Sequence, residues 1–385
     1  MPRHPSNQPL PSAPDPWAPS SMPPFRSRPP YVMSEMIAAE PAVAERLVRR
    51  LVKNPTLDGL ASEIRAALDA GRPIVTTGCG TSEHAAMAIA RLVSESLDLP
   101  AGREVRSVQA LDAVRRPIGD GLLIAVSHEG GTHVTNEAIS AAQAAGATTA
   151  LITVGPGSPG AALAGHVILT EEQDQSWCHT IGYLAPIVVG VALAAKLRRS
   201  RLDAAAIRAL LDVSEDAHGP AEIAAAMAGT DRLIVAGAGH DAITARELAL
   251  KVSEGPRQPA TALDLETVLH GHLAAVTRWT GLVVVLTDGS PEILARAHRL
   301  LAAAKALAVP TAAIIGDEIA GEIDPDETPA ARIVLPHTGR VPAMAGSLLA
   351  SAVALQLLTE RLARARNVSP DTLGREDAAQ AAAHA

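Results

Sequence analysis

Aromatic residues are nearly missing from this sequence: three tryptophans, two tyrosines and one phenylalanine in 385 positions. Trp17, Phe25 and Tyr31 fall at the very start, leaving Trp177, Tyr183 and Trp279 for the rest. That excludes base-stacking platforms for single-stranded nucleic acid. It also means that the core is built from Ala, Val, Leu and Ile, the side chains of helices packed closely on a buried parallel sheet. Cysteine is equally scarce. Cys79 and Cys178 are too few for a disulfide framework or a four-cysteine metal site, and they fit a reducing, cytoplasmic setting. Positive charge is in deficit: the formal net charge is −8, which argues against a nucleic-acid partner. No apolar run reaches the ~18–20 residues of a membrane span. Met1-Pro2-Arg3-His4-Pro5 lacks the apolar centre of a signal peptide, so no membrane partner is expected.

What is present is a globular composition, 48% hydrophobic and 19% charged, at a length that suits two domains. Residues 1–32 are crowded with proline and show no apolar period, which predicts a disordered tail. Ser34-Glu35-Met36-Ile37 reads as a helix cap and first turn. Beyond it, short apolar runs alternate with alanine-rich helical stretches. Expected strands are 73–77, 122–126, 149–153 and 166–169, repeated about 160 residues later at 232–236, 282–286, 311–315 and 332–335. Unbroken apolar strands joined by helices mean parallel βαβ units. The expected fold is α/β: two tandem flavodoxin-like, doubly wound domains related by duplication, spanning 33–205 and 206–385. The junction is expected near Arg201 to Pro220.

Ligands of open α/β sheets bind beyond the carboxyl ends of the strands. Two loops there carry hydroxyls and glycines: Gly78-Cys79-Gly80-Thr81-Ser82 and Ser127-His128-Glu129-Gly130-Gly131-Thr132. Either the glycines only tighten βα turns, or the two loops form a polar cradle for an anion or a sugar. The second half has lost this pattern at Thr287-Asp288-Gly289-Ser290-Pro291. It offers instead Glu247, Lys251 and Glu254, spaced to share one helix face, followed by His270-Gly271-His272. Such a face is commonly a solvated charge network. Glu254, ending the helix against Gly255-Pro256, is placed to project into a cleft. His128, His133, His179, His240 and His272 show no metal-ligand spacing, so neither a metal nor another cofactor is expected. Trp177 and Tyr183 suit either the core or stacking on a sugar face.

Taken together, these residues resemble the SIS (sugar isomerase) domain family, in its two-domain form, over about residues 35 to 375. Cys79-Gly80-Thr81-Ser82 is similar to that family's Cys-Gly-Thr-Ser loop, and Ser127 to Thr132 to its Ser-x-Ser-Gly-x-Thr loop. Asp174-Gln175-Ser176-Trp177-Cys178-His179-Thr180 resembles a stretch of its deaminase branch, and Glu247, Lys251, Glu254 and His270-Gly271 follow the family's order. The resemblance implies a sugar aldose–ketose isomerase or hydrolytic deaminase acting on a hexose or aminohexose, with the 6-phosphate expected. Glu254 would move a proton between C1 and C2 through an enediol or enolamine. His270 would open the ring, reaching the site from the second subunit of a homodimer, and Lys251 would steady developing charge. Cys79, Gly80, Thr81, Ser82, Ser127, His128, Glu129, Thr132, Ser176, Trp177 and Arg375 would surround the small-molecule sugar.

Two departures modify this. Glu129 stands where relatives place a serine on the phosphate, so an unphosphorylated or differently substituted sugar is an alternative. Arg375 stands where relatives have a lysine, and arginine cannot form a Schiff base. A catalytically silent sugar-phosphate sensor is the other alternative.

Overall fold

The computed structural model describes residues 26–212 and 218–383. Helices α1 (Val32–Leu51) and α2 (Pro55–Asp69) lead into β1 (Ile74–Gly78), α3 (Thr81–Ser96), β2 (Arg106–Gln109) and α4 (Ala110–Arg115). The first half continues with β3 (Leu122–Val126), α5 (His133–Ala144), β4 (Thr148–Thr153), α6 (Pro159–Leu163), β5 (His166–Leu169) and α7 (Ile181–Arg198). After α8 (Ala204–Leu211) and α9 (His218–Met227) come β6 (Arg232–Gly237), α10 (Asp241–Glu254), β7 (Ala260–Asp264), α11 (Leu265–Leu269) and β8 (Thr280–Leu286). Last are α12 (Pro291–Ala306), β9 (Thr311–Gly316), β10 (Arg332–Leu335), α13 (Ala343–Ala365) and α14 (Ala378–Ala383).

Each half is one five-stranded parallel sheet, ordered β2-β1-β3-β4-β5 and β7-β6-β8-β9-β10. This is the doubly wound, flavodoxin-like order, twice. In the first sheet the order reverses between β1 and β3, which pair from Ile74 opposite Leu122 onward. The two hydroxyl-bearing loops follow these two strands, so both rise over the crevice where such sheets bind ligands. Gly78 is required by close approach: a Cβ there would stand 2.6 Å from the Ser82 backbone.

One apolar cluster runs through both halves, joining α1, α3 and α7 to α10 and α13. The face of each sheet turned away from it has its own smaller cluster, under α5 and α6 in one half and under α11 and α12 in the other. The shared cluster matters for the site, because it fixes α10 of the second half against α3 of the first. Helices α7 and α13 are long and apolar enough to cross a membrane, which corrects the expectation that no run reaches that length. Their apolar windows are 89% and 78% buried inside the fold, and that burial accounts for their composition.

Three sequence expectations are corrected. β2 and β7 were not expected; both are edge strands of mixed burial, Arg-Ser-Val-Gln and Ala-Thr-Ala-Leu-Asp, without the apolar run that marks a central strand. The tail does not extend to residue 32. Tyr31 and Val32 are buried, and the Ser369 hydroxyl donates to the Arg26 carbonyl, while residues 1–25 lie outside the described residues. Finally, Ser34 does not cap α1: the helix starts at Val32, and the distant Asp371 carboxylate accepts from the Val32 and Met33 N–H groups at 2.7 and 3.1 Å. The expected domain junction falls partly on residues 213–217, which are not described.

Candidate functional site

Helix α10 carries the charged row, and it is not a solvated network. Glu247 and Lys251 are 0% exposed, and only Glu254, at the last turn, keeps part of its side chain open (28%). Lys251 Nζ donates to Glu254 Oε2 at 2.6 Å and lies 3.6 Å from Glu247 Oε1. Glu247 is in turn held from the first half: Thr81 Oγ1 donates to it at 3.1 Å, and His84 Nδ1 is 2.7 Å away. Desolvation opposes charge on both buried groups and is outweighed. Glu254 and Glu247 hold the ammonium above its ordinary value, while Lys251 and His84 hold the Glu247 carboxyl below the usual range. A buried ion pair survives only when both charges are fully partnered, as here. The row therefore presents one carboxylate, Glu254, to the outside, with its orientation set by a sequestered ammonium.

The first of the two first-half loops meets α10 at Gly80, near Leu250, and at Thr81. Gly80 takes a left-handed backbone (φ +55°) and is exposed, and the half-buried Ser82 keeps its hydroxyl uncommitted among the described residues. Ser127 is buried and donates to Thr132 Oγ1 at 3.3 Å, and Thr132 is exposed at the start of α5. Gly130 (φ +71°) has no room for a side chain, since a Cβ would meet the Ser158 hydroxyl. Glu129 is half-buried and accepts from Gln173 Nε2 at 3.1 Å. Cys79 sits beside Thr135 and Gln109, and burial pushes its thiol up.

The third component is the segment after β5. Its hub is Asp174, fully buried, which accepts the N–H groups of Thr180 (2.6 Å), Ser176 (2.8 Å) and Gly182 (2.9 Å). Desolvation is outweighed by His179, His128 and the Gly182 N–H, which lower its carboxyl to about 2. His179 Nδ1 stands 3.6 Å from Asp174 Oδ2, and the ring is 34% exposed. His128 is buried behind it, with ring centroids 5.2 Å apart. Its Nε2 accepts the Asp174 N–H at 3.0 Å, and burial and then His179 push it down to about 3. Cys178 Sγ approaches the Lys251 carbonyl at 4.0 Å, which seats this segment on α10. Trp177 lies under the Arg375 guanidinium from the C-terminal arm.

The structure thus brings Glu254, Lys251 and Thr81 together across the two halves and overturns several assigned contacts. His128 and Ser176 cannot face a sugar: both are buried, and the Ser176 hydroxyl is spent on the Cys178 carbonyl at 2.8 Å. Lys251 is sequestered, and Thr81 turns to Glu247. Tyr183 is core. Within one chain His270 ends α11 with a 67% exposed side chain on Glu266 at 2.8 Å, and it contacts neither Glu254 nor Lys251. Sequence reasoning missed His84, Asp174 and His179 as site residues. The available signal was that Asp174 and His179 lie within the quoted Asp174 to Thr180 stretch. Among the described residues no group of three or more His, Cys, Asp or Glu could hold a metal ion.

Residues 68–196 match the family model for the SIS domain. The chain is 29% identical over 238 residues to glutamine–fructose-6-phosphate aminotransferase (isomerizing) of Halobacterium salinarum, covering 56% of this chain and 38% of that protein. It thus spans about two fifths of the length of the curated relatives it matches. The C-terminal domain of glucosamine-fructose-6-phosphate aminotransferase from Francisella tularensis superposes with a TM-score of 0.73 at 19% identity, over 89% of this chain and 98% of that one. Tagatose-6-phosphate ketose/aldose isomerase from Escherichia coli gives 0.69 at 19%, over 91% and 97%. The first half thus contains an SIS domain, and the second half repeats its sheet order, giving the two-sheet α/β fold that the superposed structures share.

Proposed function

We propose that this protein is a sugar isomerase or aminosugar deaminase of the enolising kind, with Glu254 as the base that carries a proton between C1 and C2 of an open-chain hexose. The observation that carries this reading is the asymmetry of the α10 row. One carboxylate opens outward at the end of the helix while its ammonium partner and a second carboxylate, the latter held by Thr81 and His84 of the first half, are fully buried. A carboxylate positioned beside a carbon acid typically contributes ~10²–10⁴-fold to such a transfer. A sugar sensor needs the cradle of Ser82 and Thr132 but has no use for an oriented base. The named chemistry of the relatives and structural neighbours supports the same class.

The far end of the sugar is the point of difference. Glu129 keeps its carboxylate in the loop with only the Gln173 amide on it, and a phosphate dianion meeting that charge would lose affinity. This favours a sugar whose far end is a hydroxyl. We assign ring opening to His270 supplied by a second copy of the chain, since within one chain this exposed imidazole has only Glu266. Two free cysteines suit a cytoplasmic setting. The test is to mix the protein with glucosamine 6-phosphate, fructose 6-phosphate and their unphosphorylated parents while following ketose and ammonia. Turnover of any of them supports the enzyme, and binding of all without turnover supports the sensor.

A further inference from the structure

Enolisation needs, besides a base on carbon, a group that hands a proton to the carbonyl oxygen and takes one back from the neighbouring hydroxyl. Lys251 cannot do this, because it is 0% exposed and held by two carboxylates. Arg375 can donate but never surrenders its proton. His84 is committed to Glu247 through Nδ1 and is largely covered.

We infer that His179, oriented by the buried Asp174, is this oxygen-side proton carrier, working with Glu254 inside a single subunit. The geometry supplies what the role requires. Nδ1 faces a carboxylate that three backbone N–H groups hold rigid, as an orienting acid must be held. Nδ1 is buried and lies just beyond hydrogen-bond distance of Asp174 Oδ2, while Nε2, which makes no hydrogen bond among the described residues, is the nitrogen left accessible on a ring that is 34% exposed. The neighbouring Cys178 sits on the Lys251 carbonyl, which seats the segment carrying His179 on α10. Four charged or titratable groups act on it: Asp174 and His128 from the first half, Lys251 and Glu254 from α10. Desolvation and Lys251 disfavour the charged ring, but Asp174, helped by Glu254, outweighs them and holds the imidazole above its ordinary value.

The step balances without a co-reactant. Starting from the aldose, Glu254 takes the C2 proton, the electron pair moves into the C1 carbonyl, and the imidazolium of His179 gives O1 a proton, leaving the enediol. His179 then takes the proton from O2 as the C2 carbonyl forms, and Glu254 returns its proton to C1.

This inference rests on the enolising reading above, and the test separates the two. The rate of solvent-deuterium entry, at C2 of the two aminosugars and at C1 of the two ketoses named, is measured against pH for the wild-type protein and for His179→Gln. In parallel, the His179 imidazole of the unmutated protein is titrated by NMR. The expected result is a roughly 100-fold or larger loss in His179→Gln. The wild-type rate should also fall as pH rises through the midpoint at which the His179 ring titrates. Exchange within about threefold of wild type in a folded His179→Gln, or a wild-type alkaline limb displaced from the His179 titration, overturns the role of His179 and leaves Glu254 standing. Absence of exchange in the wild type on every sugar overturns the enolising reading and this inference with it. Because the titration and the pH profile use the unmutated protein, the inference stays testable if the variant does not fold.

Discussion

At the scale of single residues, Glu129 is the side chain on which substrate choice turns. Its carboxylate stands in a loop otherwise furnished with hydroxyls and backbone N–H groups, and its one hydrogen-bond partner among the described residues is the Gln173 amide, which leaves the negative charge in place. Replacing it with serine removes that charge and restores a donor. Glu129→Ser should therefore raise affinity for a hexose 6-phosphate over its unphosphorylated parent by roughly tenfold or more, read by calorimetric titration of both sugars. An unchanged preference would mean that Glu129 points away from the sugar. The spacing of Glu247, Lys251 and Glu254 was legible in the sequence, but their burial was not. The row is buried by α3, which supplies Thr81 and His84 from more than 160 positions upstream. The same limit explains His128 and His179. Nothing in a linear reading says which of two imidazoles is locked behind Asp174 and which is left open.

Among elements, the central strands and the helices between them were legible because buried parallel strands must be continuously apolar. The edge strands β2 and β7 were not, for each mixes polar with apolar positions, whereas the edge strands β5 and β10 keep a short apolar run. Helix ends were the other blind spot. The start of α1 is closed by Asp371, whose carboxylate takes the Val32 and Met33 N–H groups and so ties the C-terminal arm to the first helix. That arm also carries Arg375 over Trp177. Asp371→Ala should cost about 1–2 kcal/mol in urea-induced unfolding, the usual worth of a helix cap. A loss well below 0.5 kcal/mol would show that water replaces the cap without penalty.

At the scale of the whole molecule, the two halves share one core, and a carboxyl group lies inside it. Glu40 of α1 is completely buried with neither oxygen hydrogen-bonded, and Gln356 of α13 lies beside it. Burial raises this carboxyl well above its ordinary value, more than Gln356 can offset. Its contribution to stability is full below the unfolded value and is lost as pH rises toward the folded one. Glu40→Gln, which keeps the shape and removes the titration, should raise the melting temperature at about pH 7 and flatten its decline from about pH 5 upward. A lower melting temperature at both pH values would contradict this. The assembly is tested by mixing Glu254→Gln and His270→Gln proteins, each inactive alone. A site shared between two copies restores activity in hybrids carrying one intact site, whereas a site complete within one chain restores none.

The most direct measurement is deuterium entry in heavy water at C2 of a bound aldose or aminosugar, or at C1 of a bound ketose, compared between the wild-type protein and Glu254→Gln with sugar affinity measured alongside. The account predicts exchange in the wild type, none above background in Glu254→Gln, and affinities within a few fold of each other. Equal exchange in both proteins would contradict it, because some other group would then be moving the carbon-bound proton.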